Sequence, residues 1–166
     1  MISKYYAGFG HDQTPEAVQH IMRNFGTMAE SLGWTLRTGG HGPAAKAFED
    51  GVKHYLNKEV YLPWGAYQGN KSHRTKPRAL GSQIMNDIQP GFDDLSEGAK
   101  KFHLCNVQII LGDHFETPAS FVLTWGAVDS HCYTSAVRLA EQRNIPVFNL
   151  ADPHVDEAGL EAILTR

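Results

Sequence analysis

The sequence predicts a single α/β domain, a parallel sheet covered by helices on both faces. Three observations lead there. Strand-like runs alternate with stretches of helical period along the chain. Residues 120–125 are almost continuously apolar, as a strand buried on both faces requires. Glycine-rich turns follow the first two strand-like runs. A chain of 166 residues has the length of one domain and can bury a core without staples.

The elements follow in order. Residues 4–9 read as a strand ending at Gly8-Phe9-Gly10. Thr14-Pro15-Glu16 starts a helix, with Thr14 as cap and proline in the first turn. Val18, Ile21, Met22, Phe25, Met28, Ala29 and Leu32 then recur at helical spacing, and Gly33 closes the helix. Residues 34–37 form a second strand, running into Thr38-Gly39-Gly40-His41-Gly42, and residues 43–52 a second helix. Residues 59–62 form a third strand, stopped by Pro63. Residues 64–95 are less regular and carry a basic stretch with Lys71, Arg74, Lys76 and Arg78. A helix over 96–111, the apolar strand at 120–125, a helix over 134–143, a strand over 146–150 and a last helix over 155–164 complete the pattern. Ligands of such sheets bind outside the carboxyl ends of the strands, so the turns there belong together.

Composition narrows the function classes. Fifteen basic against eighteen acidic residues give a formal charge of −3, which argues against a dedicated duplex-DNA binder. The two cysteines, Cys105 and Cys132, lack zinc-type spacing and are too few for a disulfide scaffold, so a reducing cytoplasm is expected. The amino terminus has no long apolar region and no run is long enough to span a bilayer, so no membrane association is expected.

Several segments resemble one family. They are Tyr6-Ala7-Gly8-Phe9-Gly10 with Thr14-Pro15, and Leu36-Arg37-Thr38-Gly39-Gly40 with Ala47-Phe48-Glu49-Asp50-Gly51. Tyr61-Leu62-Pro63-Trp64, Asn106-Val107-Gln108, Ala136-Val137-Arg138-Leu139-Ala140 and Ile145-Pro146-Val147-Phe148-Asn149-Leu150 continue the match in order. Together they resemble the SLOG superfamily of Rossmann-like proteins, nearest to its short phage and bacterial branch labelled DNA-processing-protein-A-like. The resemblance implies a Rossmann-like fold, a nucleotide-derived ligand and self-association into a homo-oligomer. It places the protein in a cytoplasm, the host's if a phage encodes it. The chain departs from the family pattern at His11-Asp12, at His41-Gly42-Pro43-Ala44-Ala45, at Cys105 and at His131-Cys132-Tyr133. Several of the family's charged or phosphate-cradling groups are thereby missing.

The candidate ligand site is Gly39-Gly40-His41-Gly42, between a strand and a helix. Glycines there let backbone N–H groups approach an anion, and the helix adds its positive end. Gly8 and Gly10 join it, or serve only close helix packing. His11, Trp125, Asp129 and Ser130 complete the expected ligand-binding set. Asp129 or Ser130 either caps the following helix or meets a ribose hydroxyl. Trp64, Tyr67 and Trp125 either stack on a base or fill core.

No cofactor and no metal is assigned. His11, His41 and His131 fall at strand-end turns, with Asp12 and Asp129 nearby, and are the residues that could hold a metal. Their spacing follows topology and not a metal motif. Cys132 stands near a helix amino terminus, which can lower a thiol pKa.

The first expectation is a non-catalytic sensor or sponge for a phosphate-bearing, nucleotide-derived small molecule. The second is a nucleotide N-glycosidic-bond hydrolase, with His41, Glu49 and Asp129 as catalytic candidates. The third is a DNA-recombination accessory protein using the basic stretch on single strands, with nucleic acid not the favoured partner.

Overall fold

The computed structural model describes residues 4–127 and 132–166. Among them lie five strands and six α-helices. The strands are β1 (Tyr5–Gly8), β2 (Thr35–Gly39), β3 (Lys58–Tyr61), β4 (Phe121–Thr124) and β5 (Val147–Asn149). The helices are α1 (Glu16–Ser31), α2 (Gly42–Gly51), α3 (Gly81–Ile88), α4 (Glu97–Leu111), α5 (Thr134–Gln142) and α6 (Glu157–Leu164). All strand pairs are parallel, in the order β3-β2-β1-β4-β5. This is a Rossmann-like α/β fold, and the chain order reverses between β1 and β4. No helix among the described residues is long and apolar enough to cross a membrane.

Side chains alternate across the sheet and build two cores. Tyr6, Leu36, Phe121 and Leu123 face α1, α2 and α6, meeting Phe25, Phe48 and Ile163. Ala7, Tyr61 and Val122 face α3, α4 and α5, meeting Met85, Ile110 and Ala140. Tyr6 anchors the first core, with ring centroids 5.4 Å from Phe25 and 5.5 Å from Phe121.

One charged residue lies inside the second layer. Arg37 on β2 is 1 % exposed. Its Nε donates to Glu59 Oε1 at 3.0 Å, its Nη2 to Thr117 Oγ1 at 2.7 Å, and its Nη1 to the Thr117 carbonyl. The guanidinium stacks over Tyr5 at 3.8 Å. A buried cation needs such a full set of partners. The set ties β2 to edge strand β3 and to the segment leading into β4.

Two local expectations change, at Thr14 and within residues 64–95. Thr14 does not cap α1: Pro15 holds that position without a side-chain bond, and the Thr14 hydroxyl donates to the His11 carbonyl at 2.5 Å. Ser96 does cap α4, accepting from Ala99 N at 3.2 Å. The irregular stretch contains α3, whose start at Leu80 has no side-chain cap. Gly81, Met85 and Ile88 bury its inner face. Two turns without a cap leave little local signal, and packing against α4 makes the helix.

Candidate functional site at the carboxyl edge of the sheet

Because every strand is parallel, the turns after β1, β2 and β4 open on one edge. Three side chains from three turns meet there. His41 Nε2 lies 3.0 Å from Asp12 Oδ1, and both lie near the Cys132 sulfur, all three ligand atoms within 4.8 Å of one another. His41 Nδ1 is 2.8 Å from the Tyr67 hydroxyl. Asp12 is exposed, while His41 and Cys132 are half-buried.

The backbone under this group is braced. The Tyr133 hydroxyl accepts from His41 N at 3.2 Å and donates to the His41 carbonyl at 2.7 Å. The Tyr133 ring stacks on Phe9 at 4.7 Å. Asn106, buried on α4, donates to the Cys132 carbonyl and to Ser135 Oγ, both at 2.8 Å. These bonds fix the β2–α2 turn against the start of α5.

Gly42, at φ +86°, opens α2 in a conformation that favours glycine. His41 precedes it at the N-cap position with no side-chain capping bond. Beside this turn lies a cleft of about 350 Å³, lined in part by Gly39, Gly40, Gly42, Lys46, Gln68 and Lys71. A larger cavity of about 530 Å³ runs along edge strand β3 and shares Glu49, Asn70 and Lys71 with the cleft. The smaller one adjoins the amino end of α2, which no side chain among the described residues caps, so we take it as the candidate anion site.

The remaining candidates divide. Gly8 and Gly10 abut Phe48 and Ala44, where a Cβ would come within 2.9 and 2.8 Å, so they permit α2 to pack on β1. A Cβ at Gly40 would collide with Leu62. His11 points its ring at Trp125, 6.4 Å away, and accepts from Gln13 N at 3.0 Å, outside the Asp12 group. Trp125 packs, half-buried, against the α1–α2–α6 layer. Trp64 and Tyr67 form an edge-on cluster with Phe102 at 5.3–5.7 Å. Glu49 accepts from Asn70 at 2.8 Å and pairs with Lys58 at 3.4 Å. Asp129, Ser130 and His131 lie outside the described residues.

The basic stretch is partly neutralised. Arg78 pairs with Asp113 at 3.0 Å, and Arg74 lies 4.0 Å from Glu59 and over Tyr61. Lys71 lines the cleft; Lys76 lies with His73 and Asp113 around a separate hollow. The α5 amino terminus, which can lower a thiol pKa, does not prevail at Cys132. Burial pushes the Cys132 thiol up to about 12, and the Asp12 carboxylate pushes the same way.

Tyr133 and Asn106 hold the site together, yet neither stood out as a site residue in the sequence. A buried aromatic directly before a helix, with a hydroxyl needing a partner, was the only available signal for Tyr133. Comparison with known proteins finds no match: no family model, no curated protein and no solved structure matches the chain.

Proposed function

We propose that this protein binds a phosphate-bearing, nucleotide-derived small molecule at the carboxyl edge of its sheet, without catalysis, as a sensor or sponge. The observation that carries the reading is the uncapped amino end of α2, opening beside a cleft that Lys46 and Lys71 flank. The helix dipole and the backbone N–H groups of the first turn, apart from Pro43, favour an anion there; Lys46 and Lys71 share the lining with Glu49 and Asp50, so the helix end is the main attraction. The cavity along β3 shares walls with the cleft and offers room for the rest of a nucleotide. The resemblance to SLOG proteins points the same way.

Asp50 pairs with Lys46 at 3.4 Å across four residues of α2. An incoming phosphate would compete for that exposed lysine. Hydrolysis of an N-glycosidic bond is the second reading, favoured by Glu49 in the cleft wall. Its carboxylate is committed to Asn70 and Lys58, a structural assignment that leaves it poorly placed to shuttle a proton. The nucleic-acid reading is weakened because Arg74 and Arg78 both have acidic partners.

Equilibrium binding of a nucleotide panel tests the proposal. Lys71→Glu should weaken the best ligand about tenfold or more, as losing a charge-assisted contact does. Unchanged affinity in Lys71→Glu and Lys46→Glu together would remove the cleft from consideration.

A further inference from the structure

Asp12, His41 and Cys132 come from three separate turns, yet their carboxylate, imidazole and sulfur atoms all lie within 4.8 Å of one another. We propose that this trio binds one divalent ion of the zinc class. Zinc takes mixed oxygen, nitrogen and sulfur donors, and three protein donors leave one tetrahedral position to water. Harder cations avoid sulfur, so magnesium and calcium do not fit the set.

The supports around the trio are those of a metal site. An imidazole ligand is oriented by a partner on its other nitrogen, and the Tyr67 hydroxyl stands 2.8 Å from His41 Nδ1. With the metal on Nε2, the Nδ1 proton is donated to Tyr67. The Cys132 backbone is pinned by Asn106, and the His41 backbone by Tyr133. An ordinary surface ion pair between Asp12 and His41 needs neither the sulfur nor these braces. The inference does not rest on phosphate binding, since the three side chains suffice.

The test uses the full chain, stripped with a chelator and titrated with Co²⁺ without nucleotide. One equivalent should bind, giving a sulfur-to-cobalt charge-transfer absorption and the visible bands of a tetrahedral ion. Zn²⁺ should abolish both. Cys132→Ser should lose the charge-transfer band. Asp12→Asn, at an exposed position, should keep the fold and weaken binding. Tyr67→Phe, a positioning change, should lower affinity about tenfold while the band remains. Absence of a cobalt band in folded wild-type protein would overturn the proposal. So would a band that persists in Cys132→Ser, because the sulfur would then be Cys105. Nucleotide binding measured with chelator present separates failure here from failure of the phosphate reading.

Discussion

His41 Nε2 stands 3.0 Å from Asp12 Oδ1, although the two residues are 29 apart in sequence. The contact joins the turn after β1 to the turn after β2 at the edge where ligands of this fold bind. The Asp12 side chain is 58 % exposed, so the pair adds little to stability. Asp12→Asn should change the free energy of unfolding by less than about 1 kcal/mol, read by urea denaturation. A loss of several kcal/mol would make the pair part of the scaffold and remove its freedom to serve a ligand.

Arg37 behaves oppositely. It is buried, and its removal strips the partly buried Glu59 of its nearest cation and leaves the Thr117 oxygens without its hydrogen bonds. Arg37→Leu should cost about 3–5 kcal/mol, visible as a large fall in the urea midpoint. A near-neutral result would mean that the Tyr61 hydroxyl, which donates to Glu59 at 2.6 Å, and Arg74 satisfy the carboxylate without it.

Tyr6 is buried completely, and its hydroxyl has no hydrogen-bond partner among the described residues. The ring is needed by the aromatic cluster; the oxygen is a cost. Tyr6→Phe should raise stability by about 1 kcal/mol in thermal or urea unfolding. Destabilisation would show that the hydroxyl has a partner in solution.

The Arg78–Asp113 pair gives a pH signature. Burial pushes the Asp113 carboxyl up, but the hydrogen bond from Arg78 and the charges of Arg78, His114 and Arg74 outweigh it and hold it below the ordinary range. A lowered folded-state pKa stabilises above the unfolded value of about 3.9, and the contribution fades as pH falls through the folded value. Both side chains are more than a third exposed, which limits the effect to about 1 kcal/mol or less. Wild type and Asp113→Asn should therefore differ at neutral pH and converge in strong acid. A constant gap across that range would remove the carboxylate from the explanation.

Much of the fold was legible because its signals are local. The apolar run through Phe121, Val122 and Leu123 reads as a buried strand, and Gly33 ends α1 in the left-handed conformation expected of a closing glycine. Helix α3 was not legible, since its identity rests on Met85 and Ile88 meeting α4 and not on a cap. At the site, the residue types could be read and their grouping could not. Turn position groups His41 with His11, His131, Asp12 and Asp129; the structure seats it with Asp12 and adds Cys132, which that grouping lacks. Which way a ring points out of a turn depends on partners such as Tyr67 and Tyr133, far away in the chain. The basic stretch shows the same limit: its charges were visible, but not the pairing of Arg78 with Asp113.

A bound nucleotide-derived ligand is what the proposed site requires. The most direct measurement is a thermal-shift screen against mononucleotides, cyclic nucleotides, ADP-ribose derivatives and dinucleotides, with the ligand recovered and identified by mass spectrometry. A ligand at 100 times its Kd should stabilise the protein by about 2.7 kcal/mol and be recovered intact. Recovery as free base plus sugar phosphate would contradict a non-catalytic role. No shift across the whole panel would contradict nucleotide binding and leave the turn at Gly39-Gly40 as a packing feature.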